Sequence, residues 1–371
     1  MKVWNLRILK NKIGAKIYYS KRTREILRSL NYQNDERQFV PLLNTPEHGN
    51  LGDHAIVLGE LFFLQDTLPN LKVIEISGHH LRFDKNRVIK LLNKSNVILV
   101  HGGGYLGNLW PREEELFREI VERFASKKIF LFPQTIYFDK THGGDQEEQI
   151  SRSIYASHQM IHFFARENQS FKLLKEGFKL ERVYLMPDMA LYLTFERDVL
   201  GVLAHSKPRK NMAVFCMRND RERVLNDLTN QEIELLVRKK NYEVEYTDTV
   251  MNSLVRPHER LNRVAEIFGK FSESRLIVTD RLHGMIFSFV TGTPCIALDN
   301  LSGKVRSFHE TWFKNVSFIK FVSTPSEVEE SLEMLLKLGE EDIAKELELA
   351  KKNFKLYFEE LASLLKREIR W

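Results

Sequence analysis

The chain has 371 residues, 43% hydrophobic and 29% charged, with 18 glycines and 10 prolines. At ~150 residues per domain this length points to two globular domains, and the composition excludes a disordered, collagen-like or linker-rich chain. The net charge of +6 is uneven: residues 1–30 hold nine Lys/Arg against Glu25 alone, so that stretch carries +8 and the remainder −2.

Taken in order, a basic arm (residues 1–37) comes first and mixes its cations with Trp4, Leu6, Ile8, Leu9, Ile13, Tyr18 and Tyr19. That mixture suits peripheral contact with anionic lipid, and equally a helix packed on the body. Apolar strands are then expected at Phe39–Leu43, Lys72–Ile76, Asn96–Val100, Lys128–Phe132, Met160–Ala165 and Arg182–Met186. Between them the helical period marks Ala55–Leu64, Arg87–Leu92, Glu115–Phe124 and Gln149–Tyr155. This βαβα rhythm predicts a parallel sheet covered on both faces. The chain turns polar and basic around Thr194–Lys210, a domain boundary, and the rhythm restarts. Strands are expected at Met212–Met217, Glu243–Tyr246, Arg275–Val278, Cys295–Leu298 and Val316–Phe321, with helices at Gln231–Lys239, Arg260–Phe271 and Met285–Val290. From Pro325 onward the chain is helical and charged. The expected α/β organisation is an arm (1–37), two βα domains (38–200 and 205–338) and a charged helical tail (339–371).

The longest uncharged stretches, 95–111 and 284–298, are broken by Gly or Pro, so no spanning helix is expected. The first residues hold no hydrophobic signal core, and a cytoplasmic location is expected. Cys216 and Cys295, both in apolar runs, read as buried free thiols.

Two successive βα domains imply a cleft, with ligands where loops leave the carboxyl ends of strands. The unusual residues of this chain stand at those places. Asn50-Leu51-Gly52-Asp53-His54-Ala55 follows the first strand; Asp53 is expected to cap a helix from Ala55 whose free N–H groups would suit an anion. A capped loop without a ligand would use the same residues. The third strand runs into His101-Gly102-Gly103-Gly104-Tyr105-Leu106-Gly107, formally a G-x-G-x-x-G. The dinucleotide reading needs an acid ~20 residues on, and Glu122, near that distance, sits in a helical pattern. A hydrolase oxyanion hole lacks its G-x-S-x-G partner. What remains is close backbone approach to a ligand.

Phe132-Pro133-Gln134-Thr135 and Ala165-Arg166-Glu167 also end strands, and Arg166 there calls for an anion or a buried carboxylate. Met186-Pro187-Asp188 follows, with Asp188 suited to capping or to catalysis. The strongest segment is Asp280-Arg281-Leu282-His283-Gly284, between a buried strand and a nearly all-apolar helix. Arg281 offers bidentate recognition of carboxylate or phosphate, and His283 a proton near neutral pH. Another Gly/Lys loop, Asn300 to Lys304, comes after the next strand. No P-loop, HExxH, paired CxxC or D-x-D occurs, so P-loop chemistry and the common zinc signatures lack support.

In their order and spacing, these residues resemble the polysaccharide pyruvyl transferase family. The match runs over about residues 40–305 and consists of Asn50 to Asp53, His101 to Gly104, Phe132 to Gln134, Ala165 to Glu167, Pro187-Asp188, and Asp280 to Gly284 with Gly292-Thr293-Pro294. The resemblance implies two Rossmann-like domains facing a cleft, as in glycosyltransferase-B-like enzymes. It also implies transfer of pyruvate from phosphoenolpyruvate to a sugar of a polysaccharide or its lipid-linked precursor, forming a ketal in capsule or exopolysaccharide biosynthesis at the inner face of the membrane. Phosphoenolpyruvate is then the donor, with no metal and no other cofactor; the net-negative body beyond the arm argues separately against a nucleic-acid partner. Arg281 and His283 contact that donor by resemblance, joined by Arg166, with Asp280, Leu282 and Gly284 on the same side. Asn50, Gly52, His101, Gly102, Gly103, Gly104, Gln134 and Asp188 line the cleft. The chemistry asks for an anion clamp, an acid and a base: Arg281 and Arg166 as clamp, His283 as acid or phosphate ligand, Asp53 as base towards the acceptor. The rival readings are a nucleotide-sugar-dependent glycosyltransferase of the same architecture and a binding protein working through its basic arm.

Overall fold

The structure, a computed structural model, describes residues 14–28, 39–140, 143–197, 201 and 209–369. The arm residues Trp4 to Ile13 and most of the expected boundary around Thr194–Lys210 lie outside the described residues. Two parallel sheets organise the rest. The first contains β1 (Phe39–Thr45), β2 (Lys72–Ser77), β3 (Val97–Val100), β4 (Gly103–Gly107), β5 (Lys128–Tyr137), β6 (Ile161–Ala165) and β7 (Val183–Leu185), in the order β2-β1-β3-β5-β6-β7, with β4 joining β5 beyond β3. The second contains β8 (Lys210–Cys216), β9 (Glu243–Thr247), β10 (Ser274–Thr279), β11 (Cys295–Ala297) and β12 (Ile319–Phe321), ordered β12-β11-β10-β8-β9. Central strands such as Val97-Ile98-Leu99-Val100 are buried at every residue, as parallel strands covered on both faces must be.

The helices are α1 (14–28), α2 (Leu51–Thr67), α3 (Gly78–Asn93), α4 (Pro111–Arg123), α5 (Gly144–Ser157), α6 (Asn168–Lys172), α7 (Asp227–Lys239), α8 (Arg260–Ser272), α9 (Leu282–Thr291), α10 (Lys304–Phe308), α11 (Pro325–Leu336) and α12 (Glu340–Glu368). Between the sheets, α2 and α9 are buried on nearly all sides, which explains their lack of a polar face. One apolar core runs through both halves, from Val40, Phe130 and Phe164 to Val214, Phe287 and Phe318.

The loop before α2 also pairs with the loop after β9: the Leu51 N–H donates to Thr249 O at 2.8 Å and the Met251 N–H to Gly49 O at 2.8 Å. A Cβ on Gly49 would lie 2.0 Å from Met251 O, so glycine is what permits this approach. The cleft therefore opens between the carboxyl edges of both sheets, with one side sewn shut by backbone.

Several elements differ from the sequence expectations. The glycine run forms β4, pairing Gly103 with Gln134 and Leu106 with Ile136; Gly103 (φ +133°) and Gly107 (φ +104°) adopt angles that only glycine takes readily. Its partner β5 continues past Phe132 through Pro133, where the register shifts and a ladder N–H is not required. Helix α2 starts at Leu51, and its cap is Asn50, whose Oδ1 accepts the Gly52 N–H at 3.1 Å; Asp53 lies in the first turn.

The charged tail is a 29-residue helix, α12, that returns across the molecule. Ile343, Leu347, Phe354, Phe358, Leu361, Leu364 and Leu365 form its buried stripe. Phe354 packs on Phe289 of the second half and Phe358 on Phe63 and Tyr192 of the first, so the helix ties the halves together. Its charges occupy the outer face. Cys216 and Cys295 are free and buried, and burial pushes both thiols up to about 12. Among the described residues no helix is long and apolar enough to cross a membrane.

Candidate active site

A cleft of about 540 Å³ lies between the sheet edges. Of the residues singled out in the sequence, Asn50, Asp53, His101, Gly104, Arg166, Arg281, Leu282 and His283 line it. Gly52, Gly102, Gly103, Gln134, Asp188, Asp280 and Gly284 are not among the residues that line it. Among the described residues no three His, Cys, Asp or Glu side chains gather as metal ligands.

The floor is a buried ion-pair group. Arg166, 1% exposed at the end of β6, donates from Nη1 to Asp188 Oδ2 at 2.7 Å and from Nε to Thr135 Oγ1 at 2.8 Å. Asp188 also accepts the Ala190 N–H at 2.8 Å and stands 3.6 Å from His283 Nε2. Burial would push the Asp188 carboxyl up, but His283, Arg166 and that N–H outweigh it and hold it far below the usual range. The sequence left Arg166 open between an anion and a buried carboxylate such as Glu167; the structure pairs it with two, Asp188 at 2.7 Å and Glu167 at 3.7 Å. Arg166 keeps a further face: a Cβ on Gly104 would meet Nη2 at 2.5 Å and Lys304 Nζ at 3.7 Å. Two cations thus converge over a glycine that has no side chain to fill the space.

His283 stands in the first turn of α9, where helix N–H groups and the macrodipole favour negative charge. It is 8% exposed, and its Nε2 has no hydrogen-bond partner. Gly52 of α2 lies directly against its ring. Beside it, Asn50 Nδ2 donates to Asp53 Oδ2 at 2.8 Å, and His48 Nε2 is 3.6 Å from the same oxygen. Burial raises the Asp53 carboxyl, yet His48, His283, His101 and Arg166 together hold it below its ordinary value.

Arg281 is more constrained than the sequence suggests. Its Nη1 donates to Asp220 at 2.8 Å and its Nη2 to Asp248 at 2.7 Å, which leaves Nε without a partner. Asp280 does not line the cleft. Its Oδ1 accepts the Arg218 N–H at 2.8 Å, and burial pushes its carboxyl up to about 6. Asp280 therefore holds the loop after β8.

That loop supplies what the sequence reading missed. Arg218 Nη1 lies 2.9 Å from Glu222 Oε2, which also accepts from Lys304 Nζ at 2.7 Å. Burial would raise Glu222, but Lys304 and Arg218 bring it down to about 2; burial in turn pushes the Lys304 ammonium down. Arg218, Asp220 and Asp248 all follow strands, so the strand-end rule that found Arg166 would have found them.

At the mouth, Trp110 of the first half carries the Arg221 guanidinium of the second 4.0 Å over its ring. On the same rim, the Tyr19 hydroxyl of α1 donates to Glu47, a cleft residue.

Two Rossmann-like sheets facing one cleft, clasped by a returning C-terminal helix, define the glycosyltransferase-B-like architecture shared by sugar transferases and epimerases. A UDP-GlcNAc 2-epimerase from Neisseria meningitidis, solved with UDP-GlcNAc bound, superposes on 89% of this chain and all of its own, with a TM-score of 0.51 at 13% identity, a likeness of fold. The model of the polysaccharide pyruvyl transferase family matches residues 50–302, and the chain belongs to that family. General stress protein 30 of Bacillus subtilis is 30% identical over 319 residues, covering 84% of this chain and 88% of the relative. Pyruvyl transferase 1 of Schizosaccharomyces pombe is 26% identical over 322 residues, covering 81% and 76%.

Proposed function

We propose that the chain transfers pyruvate from phosphoenolpyruvate to two hydroxyls of a sugar, forming a cyclic ketal and releasing phosphate. The observation that carries this reading is the convergence of Arg166 and Lys304 over Gly104, with Arg166 tied through Asp188 to His283 in the first turn of α9. A small molecule with a phosphate and a carboxylate suits such a spot, where fixed dipoles and cations act in a low dielectric. Arg166, Lys304 and the α9 N–H groups take the phosphate. Arg281, its plane fixed by Asp220 and Asp248, meets the carboxylate through Nε.

The steps balance without any redox partner. His283 delivers a proton to the methylene carbon, and the positive charge that develops at C2 is attacked by the first sugar hydroxyl, whose proton passes to Asp53. The C2–O bond to phosphate breaks, the second hydroxyl attacks C2, and its proton leaves with the phosphate. Asp53 suits the first role because its surroundings keep it ionised. The acceptor enters from the rim formed by Glu47, His79, Arg82 and Trp110. An acceptor held on a lipid carrier would bring the exposed basic face of α1, next to that rim, against anionic lipid.

The test is a thermal shift followed by product analysis. Stabilisation by phosphoenolpyruvate, and a sugar product heavier by one pyruvate less one water, is the expected result. Stabilisation by a nucleotide-sugar and not by phosphoenolpyruvate overturns the reading in favour of a glycosyltransferase.

A further inference from the structure

Glu60 lies in the middle of α2, in a stretch that is otherwise apolar, and none of it is exposed. Burying a carboxylate is costly unless each oxygen is met. Here both are, and by one loop: Oε2 is 2.9 Å from His101 Nδ1, and Oε1 accepts the Gly102 N–H at 2.8 Å. Holding α2 to that loop would need no imidazole. His101, however, is 2% exposed and lines the cleft, and its Nε2 has no hydrogen-bond partner. A carboxylate at Nδ1 keeps the ring proton there and leaves Nε2 with a bare lone pair, the state a base requires.

We propose, resting on the ketal-forming reading above, that Glu60 is a positioning residue that fixes the tautomer of His101, and that His101 Nε2 takes the proton of the second acceptor hydroxyl. Ketal formation removes two hydroxyl protons in turn, and Asp53, which takes the first, is still protonated if the second attack follows promptly. The separate base resolves this. As the second C2–O bond forms, the hydroxyl proton moves to His101 Nε2 and from there to the departing phosphate. The proton on Asp53 replaces the one His283 gave to carbon, so both groups end as they began. The titratable and charged groups around the dyad are Asp53 of α2, His48 of the preceding loop, Tyr105 of β4, Arg166 after β6, Asp188, and His283 of α9.

Glu60→Gln is a sharp test, because the Gly102 N–H dictates how the new amide lies. Its carbonyl must turn to Gly102, so its NH₂ faces His101 Nδ1 and drives the ring proton to Nε2. The base is lost with almost no change in shape. The expected result is a kcat lower by about 10²–10⁴-fold with little change in KM for phosphoenolpyruvate. The acidic limb of the kcat–pH profile should disappear or move. His101→Gln should match it, and the double variant should lose no more than either single one. Should Glu60→Gln fail to melt cooperatively, His101→Gln alone carries the same kcat and pH readout. Folded variants with wild-type kcat and an unchanged acidic limb overturn the proposal, as does a double variant whose losses multiply. Wild-type protein that forms no ketal defeats the underlying reading and this proposal with it. Wild-type protein that forms the ketal while both variants equal it defeats the dyad alone.

Discussion

Replacing Gly52 by Ala adds one methyl group to the first turn of α2, yet its effect should appear at His283, 231 positions further along the chain. An added Cβ would stand 2.2 Å from His283 Nδ1, 2.5 Å from Cγ and 2.9 Å from Cβ, where ordinary contact begins near 3.4 Å. The imidazole must retreat by about 1 Å, and a catalytic group misplaced that far costs on the order of 10²-fold in rate. Its retreat is hemmed in by the Phe287 ring and by Asp188. The backbone has little reason to object: residue 52 is helical, Ala is favoured there over Gly by up to ~1 kcal/mol, and the Asn50 cap bonds only the N–H. Gly52→Ala should therefore still fold, with an overpacking loss of about 1–3 kcal/mol, while phosphate release from phosphoenolpyruvate at saturating acceptor falls about 10²-fold. Gly269→Ala in α8, with nothing within 4 Å of the new Cβ, is the control; it should leave turnover alone and melt no lower than wild type. Wild-type turnover in Gly52→Ala would refute the placement of His283 at the reacting centre.

Arg281→Ala should weaken phosphoenolpyruvate binding on the order of 30- to 1,000-fold in titration calorimetry, the loss of about 2–4 kcal/mol from a charge-assisted contact. Lys should restore only part, because it cannot bond Asp220 and Asp248 with a planar fork. His283→Gln should instead lower kcat by about 10²–10⁴-fold at nearly constant KM; near-normal kcat would leave His283 as a phosphate ligand only. Glu222 is held at about 2, below its unfolded value, so its ion pairs stabilise fully above about pH 4.5 and are lost as pH falls towards 2. Glu222→Gln should thus cost roughly 3 kcal/mol in urea unfolding at pH 7, a gap that closes across that acid window; a gap constant with pH would reject the pairing. The exposed cations of α1 should draw the protein to phosphatidylglycerol vesicles and not to neutral ones, and Lys16→Glu with Lys21→Glu, Arg24→Glu and Arg28→Glu should abolish flotation. Equal flotation of both proteins, or of neither, rejects a membrane role for this helix.

The places where chemistry gathers were legible because each is announced within a few residues. An apolar run that stops at Arg166, or at Asp280-Arg281-Leu282-His283, declares a strand end opening on a cleft, and a βα alternation declares parallel sheets. The same local rules misled where neighbours could not decide the matter. Asp53 looked like a cap because it precedes the helical pattern, but Asn50 reaches the first free N–H. The glycine run looked like a loop because glycine lacks strand propensity, but β5 offered it a parallel partner. The C-terminal segment read only as a charged helical tail; the stripe from Ile343 to Leu365 covers both halves.

Local pattern thus established the class of fold, the strand-end motifs and the family, since caps, periodicity and turns depend on residues only a few positions apart. Tertiary packing settled which of those motifs touch: Arg166 with Asp188, Gly52 with His283, Arg281 with Asp220 and Asp248. It also disclosed Glu60, which no pattern marked, because one acid among apolar helix residues carries no signal until its partner is seen. Such pairings depend on how two sheets and the helices between them fill one apolar core, and close packing across distant segments is not written in any stretch of neighbouring residues.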